Sequence, residues 1–152
     1  TIPDTVTNIG YSSFLGCKGF TGSLTIPDSV TSIGNGAFGH CSGFTGDLVI
    51  PDSVTSIGDG AFQNCSGFTG DLIIGNNVTS IGSSAFYGCS GFTGDLIIPD
   101  SVTSIEGSAV FYNCRNLDKI IIQGKSEDGI SGSPWGASDT VTIVWQSSQE
   151  GA

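Results

Sequence analysis

Apolar and polar positions along this chain follow a pattern that returns every 24 residues. Cys41 opens CSGFTGDLVIPDSVTSIGDGAFQN, and Cys65 opens CSGFTGDLIIGNNVTSIGSSAFYG. Cys17 opens CKGFTGSLTIPDSVTSIGNGAFGH, and Cys89 opens the slightly longer CSGFTGDLIIPDSVTSIEGSAVFYN. A period of this length predicts a solenoid, in which each unit buries its apolar face only by stacking on its neighbours. Within a unit, Leu48 and Ile50 alternate with Asp47 and Val49, as in a strand with one buried face. Pro51-Asp52 turns the chain. Val54 to Ile57 predicts a second short strand, which Gly58 ends. Gly60 to Asn64 is too short for a stable helix and predicts one turn of 3₁₀ or α-helix. Phe14, Phe38, Phe62, Phe86 and Phe111 form one column. Phe20, Phe44, Phe68 and Phe92, with Leu117, form another.

The predicted architecture is thus mainly β with short 3₁₀ or α turns: five stacked coils of about 24 residues plus a C-terminal β cap. Residues 1–122 are the solenoid. Its first coil enters partway through, since IPDTVTNIGYSSFLG matches IPDSVTSIGNGAFGH. The chain therefore reads as a piece of a longer protein. In the last unit Ala109 keeps register with Ala37, Ala61 and Ala85, which leaves Val110 as the extra residue. The segment Asn116 to Ile120 is one residue shorter than its counterpart, so Ile120 and Ile122 return to register with Leu96 and Ile98. Residues 123–146 form the cap, with a Gly-rich loop, a last strand at Thr140 to Trp145, and Ile130 and Trp135 laid over the core. Residues 147–152 read as a linker or tail.

Composition narrows the possible functions. Fourteen acids against four bases give a formal charge of −10. Phosphate backbones and anionic membranes are repelled by such a surface, so nucleic acid is excluded as a partner. No run of about 18 apolar residues exists, so no membrane insertion is expected. The five cysteines recur once per coil at 17, 41, 65, 89 and 114. An odd count on a straight ladder predicts buried free thiols rather than a disulfide framework or a tetrahedral zinc site.

No enzyme is expected, and no cofactor. The single histidine, His40, sits beside Cys41, but adjacent residues in a turn point apart, and a nucleophile needs its base to converge on it. The Gly-x-Gly patterns recur with the repeat and lack a following helix, so they are turn glycines, not a phosphate cradle. Asp28, Asp52 and Asp100 form one acidic column, and Asp47, Asp71 and Asp95 another. Calcium wants six to eight oxygens. No Asp-x-Asp-x-Asp loop is present, so turn-forming, solvated aspartates are the expected reading and calcium the alternative.

Units of the form LxIPxSVTSIGxxAFxxC resemble the BspA-like leucine-rich repeats of bacterial surface proteins, over residues 1–122. The family's common unit is one residue shorter, and the extra residue here falls in Phe-Thr-Gly-Asp-Leu. The resemblance implies a leucine-rich-repeat solenoid and an extracellular or bacterial cell-surface location. It implies a part in adhesion or host interaction, and no catalytic residue.

The surface open to a partner is the outer side of the first strand. There Val49, Ile73, Ile97 and Ile121 line up, with Asp47, Asp71 and Asp95 beside them. β-branched residues favour strands in any case, yet aliphatic residues exposed in line are less ordinary than single ones. The expected function is a non-enzymatic binding or adhesion module whose extended face takes a host or matrix protein or a glycan. The alternative is a structural spacer or stalk that positions another domain.

Overall fold

The computed structural model describes residues 1–127 and 129–147. They form a parallel β-solenoid of about six turns. Its strands, in chain order, are β1 (Asn8–Ile9), β2 (Ser32–Ile33), β3 (Leu48–Val49), β4 (Ser56–Ile57) and β5 (Leu72–Ile73), followed by β6 (Ser80–Ile81), β7 (Gly94–Ile98), β8 (Ser104–Ile105), β9 (Leu117–Gln123) and β10 (Thr142–Gln146). Strands β1, β2, β4, β6 and β8 stack into one parallel sheet, and β7, β9 and β10 into another, while β3 pairs with β5. Registers follow the repeat: Ser56 lies opposite Ser32 and Ser80, and Leu48 opposite Leu72.

Two local expectations change. The second strand is Ser56–Ile57 alone, because the Val54 N–H donates back to Pro51 O and folds Val54 into the turn. No helix forms among the described residues, although a single 3₁₀ or α turn was expected at Gly60 to Asn64. Here alternate amides serve different partners. Ala61, Gln63 and Cys65 donate to carbonyls three residues back, whereas Gly60, Phe62 and Asn64 donate to Ser83, Ala85 and Tyr87 of the next coil. Every second N–H is committed between coils, so no helical ladder can propagate.

The core is one continuous apolar column. Leu48, Ile50, Val54, Ile57, Phe62 and Phe68 are buried, as are their equivalents in the following coils. Phe38, Phe62 and Phe86 stack nearly parallel, with ring centroids 5.3 and 5.6 Å apart. Phe44, Phe68 and Phe92 form the second stack, at 6.0 and 5.6 Å. Coil spacing leaves no room for side chains where backbones touch. A Cβ at Gly43, Gly67 or Gly91 would overlap the carbonyl oxygen of Phe20, Phe44 or Phe68.

The extra residue of the last unit is absorbed earlier than expected. Phe14, Phe38 and Phe62 donate their N–H groups to Ala37, Ala61 and Ala85, but Phe86 donates to Val110. Val110 therefore takes the alanine place, fully buried, and Ala109 does not. The additional residue lies upstream, in the segment containing Gly107, whose φ is 76°. The 24-residue register returns as expected, with Leu96 facing Ile120 and Ile98 facing Ile122, after a bulge that leaves Asp118 unpaired between the Gly94–Leu117 and Asp95–Lys119 pairs.

The stack continues past Ile122. Strand β10 pairs with β9 in unbroken parallel register, Ile143 opposite Ile120 and Trp145 opposite Ile122. Trp135 is fully buried, meets the Phe111 ring edge-on at 6.3 Å, and accepts the Phe111 N–H, as the alanine column does elsewhere. Its indole N–H donates to Ser131 O at 2.9 Å. Ile130 is buried as well. The linker assigned to 147–152 falls, apart from Ser147, outside the described residues.

All five cysteines are free thiols. The Cys41, Cys65, Cys89 and Cys114 thiols donate to the carbonyls of Phe14, Phe38, Phe62 and Phe86 in the coil before, at 2.9 to 3.1 Å. Burial raises all four above the ordinary value of 9.0, Cys65 and Cys114 to about 12.

This core has three measurable consequences. Phe62→Ala removes a ring packed on both sides and should destabilise the fold by roughly 3–5 kcal/mol. Chemical denaturation measures it, and a loss under about 1 kcal/mol would contradict the stacked core. The thiols stay protonated in the fold while an unfolded chain ionises near pH 9, so above that pH the unfolded state binds fewer protons. Stability should therefore be full below about pH 9 and fall as the pH rises toward 12. A thiol reagent at pH 8 should spare Cys65, Cys89 and Cys114 until denaturant is added. Labelling of all three in the native state would contradict the burial.

Candidate interaction surface

Alternation in the first strand of each coil decides which side chains meet solvent. Leu48, Ile50, Leu72, Ile74, Leu96 and Ile98 turn inward and are buried. The residue between each pair must then face out. Val49, Ile73 and Ile97 do so, at 47, 48 and 46% exposure. Thr25 occupies the same place one coil earlier and is exposed, while Ile121 is only half-buried. Strand β10 accounts for the difference, since Val144 lies directly opposite Ile121. Val144 is itself half-buried and extends the stripe by one residue. The sequence signal for Val144 was the alternation of Thr140 to Trp145. What it lacked was the parallel register that aligns that strand with β9.

Asp47, Asp71 and Asp95 border the stripe and are exposed, and Lys119 follows Asp95 in register. Asp47 has a second task that the sequence did not announce. Its Oδ1 accepts the backbone N–H of Asp71 at 2.7 Å. In two further columns, Asp52 accepts the Asn76 N–H, Asn35 that of Asp59, and Asp59 that of Ser83, each at 2.8 Å. These side chains stitch one coil to the next. No group of three or more metal-ligating side chains occurs among the described residues.

His40 is exposed, with Nδ1 3.4 Å from the Asn64 side-chain amide. Its backbone explains its place. Gly16, His40, Asn64, Gly88 and Asn113 all have positive φ, between 57° and 75°. Glycine and asparagine are favoured in that region, and histidine is tolerated. Cys41 points into the core, its thiol bonded to Phe14 O, so no Cys–His pair is assembled. The Phe-Thr-Gly-Asp-Leu segment turns on glycine as well: Gly22, Gly46 and Gly94 have φ of 79°, 76° and 73°.

Three solved structures share this architecture. A Treponema pallidum leucine-rich repeat protein ("T. pallidum Leucine Rich Repeat protein") is 28% identical, with a TM-score of 0.68 over 76% of this chain and 52% of its own. A leucine-rich cell surface protein from Faecalibacterium prausnitzii is also 28% identical, with a TM-score of 0.64 over 84% of this chain and 32% of its own. A leucine-rich repeat protein from Bacteroides ovatus is 25% identical, with a TM-score of 0.55 over 97% of this chain and 49% of its own. The chain thus spans about half or less of the length of these proteins. No curated protein matches it. The model of the BspA type leucine rich repeat region matches in six copies across residues 1–118. With the 24-residue register, the stacked core and these neighbours in agreement, the chain belongs to the BspA-type leucine-rich repeat family.

Proposed function

We propose that this chain is a non-enzymatic binding module of a bacterial surface or secreted protein. Its contact face is the stripe of Val49, Ile73, Ile97 and Ile121, bordered by Asp47, Asp71 and Asp95. One observation carries this reading: three aliphatic side chains in line, each nearly half exposed, on a scaffold that buries every other aliphatic column. The fold does not require an aliphatic residue there, since Thr25 holds the same place with a polar side chain. The similarity to a leucine-rich cell surface protein of F. prausnitzii supports the location.

A long, shallow partner suits the face, because identical side chains recur at the coil spacing of about 4.8 Å. An extended segment of a host or matrix protein, or a glycan chain, meets that description. Covering the exposed half of each side chain contributes about 0.7–1.5 kcal/mol, half the ~1.5–3 kcal/mol of full burial. Three or four such contacts offset part of the cost of association. The acidic border favours basic partners and makes their capture sensitive to salt.

The test replaces Val49, Ile73 and Ile97 together with Thr. Binding to immobilised matrix proteins and glycans is then measured beside thermal stability. The expected result is lost binding with a melting temperature unchanged within a few degrees. Unchanged binding would overturn the reading and favour a spacer that positions another domain.

A further inference from the structure

The aliphatic stripe carries acidic side chains on both of its sides. Asp47, Asp71 and Asp95 stand two residues before Val49, Ile73 and Ile97, and all three are exposed. Three residues after the stripe, past the strand, Asp52 and Asp100 belong to a second exposed column, which Asn76 interrupts. The stripe is thus a ridge one side chain wide between two acidic columns. Lys119 ends the first column in register with Asp95, and Lys125 donates its ammonium to Asp100 O at the end of the second.

The backbone under the ridge is committed between coils. Leu48 and Ile50 donate their N–H groups to Asp71 and Ile73, and Leu96 and Ile98 lie in the ladder with β9. An added strand finds no open edge there, so a partner on this face is held by side chains.

The coil spacing then selects the partner's conformation. Coils follow one another at about 4.8 Å, so alternate ridge positions such as Val49 and Ile97 lie about 9.6 Å apart. A polyproline II segment running along the ridge returns a side chain to it at nearly that interval, turning once in three residues and about 9.3 Å. A β-strand brings same-face side chains back every ~6.8 Å and falls out of step. An α-helix presents an apolar face about 100° wide, broader than a ridge of single side chains. The three-residue turn also leaves two further rows of side chains, one over each acidic column. Its backbone is solvated and needs no hydrogen-bond partner from the sheet.

Resting on the reading of this ridge as the contact face, we propose that its partner is a polyproline II segment of another protein with the three-residue pattern proline-basic-basic. The prolines pack along Val49, Ile73 and Ile97. One row of lysine or arginine faces Asp47, Asp71 and Asp95, and the other faces Asp52 and Asp100. A neutral or anionic glycan gains nothing from either column.

The probe is a fluorescein-labelled peptide of three Pro-Lys-Lys units and a final proline, titrated with the chain at low salt and followed by fluorescence anisotropy. Its control has the same composition with the prolines gathered in one block, which keeps the charge and loses the period. Saturable one-to-one binding is expected, at least about tenfold tighter than that of the control and weaker as ionic strength rises. Asp47→Asn, Asp71→Asn and Asp95→Asn together should weaken it by at least about tenfold. Asparagine keeps the Oδ1 acceptor that Asp47 offers to the Asp71 N–H, as Asn35 does for Asp59, so the stack is not at stake. Equal binding of the control would overturn the proposal and leave the contact face standing. So would tighter binding of a basic helical peptide with leucines at i, i+3 and i+7. Peptide and matrix binding both unchanged when Val49, Ile73 and Ile97 become Thr would overturn the contact face itself.

Discussion

The structure depends on the backbone hydrogen bonds that join each coil to the next in a fixed register. A 24-residue coil cannot enclose an apolar core of its own. It can donate Gly60, Phe62 and Asn64 N–H groups upward and hold Thr55 N–H against the carbonyl of Thr31 below. Once those bonds form, each residue type sits on its own kind. Phenylalanines stack, thiols reach the carbonyls of the previous coil, and glycines lie flat where backbones touch. The same bonds prevent a helix, because the ladder runs between coils rather than along the chain. An insertion must be taken up locally. One residue is absorbed before Val110, and the 24-residue register is restored from the Asp95–Lys119 pair onward.

The register also shapes the surface. Whatever stands outward in one coil stands outward in its neighbours, so a single aliphatic residue becomes a stripe and a single aspartate a charged border. Asp47 shows how one column serves two ends. One carboxylate oxygen secures the amide of Asp71, while the charge still faces solvent beside Val49. The repetition stops after Ile122. One end is closed by Trp135, which replaces the next alanine with an indole turned across the phenylalanine column.

Much of this was legible in the sequence because periodicity and burial are coupled. The buried columns, the outward place of Val49, Ile73 and Ile97, and the return of Ile120 to register all follow from counting along the repeat. What counting could not give was the destination of individual backbone amides. The helical turn expected at Gly60 failed for that reason, and so did the assignment of Val110 as the surplus residue. Ala109 matched by letter, but hydrogen bonding selects the carbonyl that lies above Phe86, and that is Val110. The coil-to-coil bonds of Asp52 and Asp59 were hidden likewise, since a turn-forming aspartate and a bridging one look alike in one dimension.

Amide hydrogen exchange tests the central claim most directly. The N–H groups of Phe38, Phe62 and Phe86, which donate to the coil above, should be strongly protected, with opening free energies close to that of global unfolding. If the Phe38, Phe62 and Phe86 amides exchange as fast as the exposed turn amide of Asp52, the inter-coil ladder does not hold the fold and this account is wrong.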